Sequence, residues 1–124
     1  MTVNTLRFIA DCFRQAGIPY CYRCWTKPLT FPYFVGEYHD FEPFSESGES
    51  DSVLIIDGFT DSDYLSLENI KEQIRGIFPP SGNTRVFDDG SGAAVMFVSA
   101  KNIPCGTDGI KRIQITLKIK EWRD

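Results

Sequence analysis

The sequence predicts an α+β fold: a mainly antiparallel sheet of about four to six strands with two helices packed on one side, in the order helix, strands, helix, strands. Three observations predict it. Two segments repeat apolar residues every three or four positions, the period of a helix. The segments between and after them are β-branched and aromatic, and the last alternates strictly with a period of two. The strands are joined by connections of hairpin length, which favour antiparallel neighbours.

The first helix is predicted over residues 2–16. Val3, Leu6, Ile9, Ala10, Phe13 and Ala16 form one apolar stripe. Gly17 suits the left-handed position that ends a helix, and Pro19 cannot continue one. Ile18 to Trp25 reads as a strand, and Phe31 to Phe44 as a second extended segment interrupted by Gly36. The polar run Ser45 to Ser52, with Gly48 at its centre, reads as a surface turn or hairpin loop. Val53-Leu54-Ile55-Ile56 continues through Phe59 and has apolar residues on both parities, so it reads as a strand covered, at least locally, on both faces.

Thr60 to Asp63 offers N-cap residues for a second helix, in which Tyr64, Leu67, Ile70, Ile74, Ile77 and Phe78 recur at helical spacing. Pro79-Pro80 stops it. Arg85 to Phe87 is a short extended piece, Asp88 to Gly92 a turn, and Ala93 to Ser99 the returning strand. After a loop at Pro104 to Gly109, Ile113, Ile115, Leu117 and Ile119 alternate with Gln114, Thr116, Lys118 and Lys120. That is a strand with one face on the core and a basic face outward.

The 124 residues suit one domain, 1–124, and 42% apolar residues with ten Phe can fill its core. No stretch approaches the roughly 20 apolar residues of a membrane span. The N-terminal segment is interrupted by Arg7, Asp11 and Arg14, unlike a secretory signal. These features predict a cytoplasmic protein with reduced thiols. A net charge of −4 argues against broad nucleic-acid binding. The charge is unevenly distributed: Pro28 to Ile70 holds no Lys or Arg but ten acids, whereas Lys111, Arg112, Lys118, Lys120 and Arg123 crowd the last strand. One reading is an ordinary solvated surface. The other is a subunit with one acidic and one basic patch, through which copies dock on each other.

Motifs for chemistry are sparse. Cys21 and Cys24 form a C-x-x-C, but in a strand an offset of three sends their side chains to opposite faces, and no second ligand pair repeats the spacing. His39, the one histidine, has no nucleophile motif to serve. Asp88-Asp89-Gly90-Ser91-Gly92 lacks the terminal Glu of a calcium loop and the Lys of a phosphate loop. Arg112, Lys118, Lys120 and Trp122 share the outward parity of a single-strand binding face, against the acidic total. The expectation is a non-enzyme with no catalytic residue, metal or cofactor.

Tyr33-Phe34-Val35-Gly36-Glu37-Tyr38 precedes an acidic loop; a strand then runs through Gly58-Phe59-Thr60 into a helix with Leu65, Leu67, Glu68, Lys71 and Ile74. Ile103-Pro104, Lys111 to Ile115 and Lys120-Glu121-Trp122 follow. In this order the blocks resemble the small tail-terminator, or tail-completion, proteins of tailed phages and prophages. The resemblance implies a virion assembly protein that closes into a ring, usually of about six copies, as a heterologous contact allows. The ring caps the tail tube and offers a surface to the head. Implied partners are the chain itself, the major tail tube protein and the head-completion proteins, with DNA only passing through the lumen and no membrane. Implied locations are the host cytoplasm during assembly and the virion tail. A head–tail joining adaptor, or a monomeric protein-binding module, is the alternative. From charge, the candidate interface residues are Glu42, Glu46, Glu49, Asp51, Arg112, Lys118 and Lys120, with residues 42–52 expected to project as a loop.

Overall fold

The structure is a computed structural model that describes residues 1–23, 30–41, 48–104 and 106–123. The elements run α1 (Val3–Gln15), β1 (Tyr20–Tyr22), β2 (Tyr33–Asp40), β3 (Glu49–Thr60), α2 (Tyr64–Ile77), β4 (Asn83–Val86), β5 (Gly92–Ile103) and β6 (Lys111–Trp122). The strands form one six-stranded sheet in the order β1-β2-β3-β6-β5-β4. All pairs are antiparallel except β1 with β2. Ten residues, 23–32, separate these two strands, where an antiparallel pair could be joined by a two-residue turn. Both helices lie on one face, where Phe78 after α2 meets Phe8 and Phe13 of α1 edge to face at 6.2 and 5.6 Å. Phe34, Leu54, Ile56, Val95 and the odd-numbered residues Ile113 to Ile119 complete the core from the sheet.

The expected order of elements and the one-sided helices are present. The differences have local causes. The buried stripe of α1 is Thr5, Phe8, Ile9 and Phe13, rotated from the expected one, and Val3 is 66% exposed. A carboxylate turns it: Glu121, at the end of β6 and 1% exposed, accepts hydrogen bonds through Oε2 from the Thr2 N–H (2.9 Å), the Thr2 hydroxyl (2.8 Å) and the Thr5 hydroxyl (2.7 Å). Thr2 also caps the helix by accepting from the Thr5 N–H.

The run Ser45 to Ser52 is not a turn throughout. Its second half, from Glu49, begins β3, pairing in register with Trp122 to Ile119 of β6. Polar composition concealed a strand whose Ser50 and Ser52 point inward. The projecting loop expected over 42–52 therefore cannot include Glu49 to Ser52; residues 42–47 lie outside the described residues. Nor is β3 covered on both faces: Val53 and Ile55 are only half-buried, opposite the helix side.

Three buried glycines let aromatic rings lie across the sheet, Gly36 beneath Tyr20 being one. Phe34 lies directly over Gly58 on the inner face, and Trp122 over Gly92 on the outer one, each at the position a Cβ would occupy. Tyr20 is largely buried against Phe13 (4.7 Å between ring centroids), and burial holds its phenol well above the usual tyrosine range.

Candidate subunit interface

The outer face of the sheet carries the charged residues that the sequence singles out. Register fixes their levels: β3 presents Glu49, Asp51, Val53, Ile55, Asp57 and Phe59, opposite Trp122, Lys120, Lys118, Thr116, Gln114 and Arg112 of β6. β2 adds Glu37 and His39 beside Ile55 and Val53, and β5 adds Met96 and Lys101 beside Lys118 and Gln114.

This arrangement corrects the charge reading. The acidic middle and the basic end of the chain are not separate patches; they are adjacent strands. Lys120 Nζ lies 3.6 Å from a Glu49 carboxylate oxygen and opposite Asp51. The Arg112 guanidinium lies 3.1 Å from Asp57, which also accepts from the Gln114 amide at 3.3 Å. The physical reason is pairing: β6 needs a long antiparallel partner, and opposite charges across that pair are favourable where like charges are not. Such pairs neutralise each other within one chain. Of the seven candidates, Glu49, Asp51, Arg112, Lys118 and Lys120 come together on this face, while Glu42 and Glu46 lie outside the described residues.

Residues the charge reading missed are aromatic or lie on flanking strands. The Arg112 guanidinium sits 5.4 Å from the centre of the Phe59 ring, which stacks on Tyr33 at 4.9 Å. With Ile103, Pro104 and Asp108 they line an open cleft of about 310 Å³. Glu37, Lys101 and Lys118 are exposed and make no ion pair among the described residues. The alternation of β2 contained the signal for Glu37; nothing local marked Lys101 as its counterpart on β5.

Chemical groups elsewhere are dispersed. Among the described residues no three of His, Cys, Asp and Glu are placed to hold a metal. Cys21 is half-buried on β1, and Cys24 lies outside the described residues, so the C-x-x-C expectation is not tested. Burial pushes the Cys12 thiol up, away from the nucleophilic range. His39 is exposed with its ring against Phe41 at 5.5 Å. Tyr22 and Tyr38 stack at 6.0 Å beside Arg23, and the neighbouring Tyr22 phenol raises the pKa of Tyr38. No described helix is long and apolar enough to cross a membrane.

No protein-family model matches the chain, and no curated protein matches it. Solved structures do. A chain of the virion of a native gene transfer agent particle superposes with a TM-score of 0.64 at 14% identity, over 96% of this chain and 90% of that one. A second solved structure gives 0.58 at 14% identity, over 93% of this chain and 96% of its own. At this identity the likeness is one of fold, and it spans nearly all of both chains.

Proposed function

We propose that this chain is a virion assembly subunit of a phage-type tail, a tail terminator that closes into a ring on the end of the tail tube and receives the head. The observation that carries the reading is the near-complete shared fold with a chain of the virion of a gene transfer agent particle. The sequence resemblance to tail-completion proteins supports the same reading through separate residues, from Tyr33 to Tyr38 and from Lys111 to Trp122. The chain would do no catalysis and hold no cofactor. Its partners would be further copies, the major tail tube protein and head-completion proteins.

A closed ring needs two unlike patches on each subunit. The neutralised β3–β6 pair does not supply them. The two ends of the sheet are unlike: β1 and β2 at one, β4 and β5 at the other, with edge strands of only three and four residues. Head-to-tail contact is assigned to these ends. The test is to grow tail tubes from a purified phage major tail protein, with and without the purified chain, and image them by electron microscopy. Capped tubes of limited length, each with a ring at one end, are expected. Tubes unchanged in length and uncapped refute the reading, and attachment to heads alone replaces it with a joining adaptor.

A further inference from the structure

We propose that the sheet face opposite the helices, left uncovered by the described residues, pairs with the same face of a second copy of this chain, about a two-fold axis running along the strands. This goes beyond the tail reading and does not rest on it; pairing through the broad face leaves both ends of the sheet free.

The first ground is the character of the face. Both helices cover the opposite side, and here Val35, Val53, Ile55, Phe59 and Met96 stand half-buried and half-wet among the described residues. A sheet face with this apolar content is stabilised by excluding water from it.

The second ground is how charge is laid out across it. Acids occupy the β2–β3 half, with Glu37, Glu49, Asp51 and Asp57. Bases occupy the β6–β5 half, with Lys118, Lys120, Arg112 and Lys101. A two-fold axis along the strands lays β3 of one copy over β6 of the other and β2 over β5, with every level preserved. Asp51 then meets the second copy's Lys120, Asp57 its Gln114, and Phe59 its Arg112. Glu37 comes within one level, about 7 Å along the strand, of the second copy's Lys101. No like charges are brought together. The same cross-strand register that neutralises the face within one chain makes it complementary to itself, which is what an isologous contact requires.

Magnitude follows from geometry. Four strands about 4.8 Å apart and about six residues long give roughly 400 Å² of projected face per copy, at the low end against the roughly 800 Å² per partner of a standard interface. The pairing is therefore weak and concentration-dependent, and higher salt weakens it further.

Sedimentation equilibrium of the purified full chain, from about 5 to about 500 μM, tests this over the range of weak dimers. The mass should rise from 14.1 kDa towards twice that value. Glu37→Lys and Lys101→Glu, both at exposed positions and checked for folding by circular dichroism, should each raise the dimer Kd roughly tenfold, through like-charge contacts. Mixed in equal amounts, the two variants should recover pairing, because each reversed charge again meets its opposite. Ile55→Arg, in the centre of the face, should abolish it. A monomer at every concentration overturns the proposal. So does a dimer indifferent to Ile55→Arg, or to both reversals and their mixture. A larger closed ring formed without any dimer also overturns it while favouring the ring reading, whereas a dimer that fails to cap tubes upholds the pairing and removes the tail function.

Discussion

Replacing Glu121 with alanine should detach the start of α1 from the end of β6 and cost about 3 kcal/mol of stability. Glu121 Oε2 accepts three hydrogen bonds, from the Thr2 N–H and from the hydroxyls of Thr2 and Thr5. Taken one by one, bonds to a charged group contribute about 1.5–3 kcal/mol, so a simple sum would be roughly 4.5–9 kcal/mol. Two effects lower it. Removing the carboxylate also removes the cost of burying its charge, and the two hydroxyls remain 2.9 Å apart and can satisfy each other. What stays unpaired is chiefly the Thr2 N–H and one hydroxyl proton, at about 1–3 kcal/mol each. An unfolding entropy of about 2.1 cal/mol/K per residue converts a 3 kcal/mol loss into a fall in Tm of about 11 °C. Glu121→Gln keeps one acceptor oxygen without charge and should lose only about 1–1.5 kcal/mol. Urea unfolding followed by far-ultraviolet circular dichroism measures both. A loss below about 1 kcal/mol in the alanine variant, with the urea slope unchanged, would show that this carboxylate does not anchor the helix.

Gly58→Ala should cost about 2–3 kcal/mol in the same urea assay, because the new methyl group meets the Phe34 ring inside the core; a cost under 0.5 kcal/mol would mean the ring has other room. Ser52→Ala should leave stability unchanged or raise it by up to about 1 kcal/mol, since the buried Ser52 hydroxyl has no hydrogen-bond partner among the described residues; a clear loss would reveal one. Tyr20 gives a pH prediction. Its folded pKa lies above the unfolded value of about 10, so its stabilising contribution is complete below that pH and declines as pH rises beyond it, where the unfolded chain releases the proton first. Tyr20→Phe should flatten this alkaline decline in denaturation midpoints measured from about pH 9 to 11; an unchanged slope would assign the decline to other groups.

Much of the fold was legible because periodicity reports burial directly. The alternation from Ile113 to Ile119 gave the central strand and its core face, and the spacing from Tyr64 to Phe78 gave α2 almost to its ends. The failures share a cause: they depend on partners distant in sequence. Glu49 to Ser52 looked like a loop because its strand character is conferred by β6, and the stripe of α1 was misaligned because Glu121, 116 residues from Thr5, draws that threonine inward. The reading of charge as two separate patches failed similarly. The count separated an acidic and a basic segment, but only the register shows that Asp51 and Lys120 are neighbours. Composition registers which charges exist and says nothing of which ones already neutralise each other.

The strand order has a consequence for how the protein is made. The strand of this sheet that is made last, β6, sits at its centre between β3 and β5. Until it emerges from the ribosome, both of those twelve-residue strands present a full unpaired edge, the arrangement most prone to join a stranger's strand. A message cut short before Lys111 therefore leaves two half-sheets with no strand between them, and not a trimmed version of the same fold.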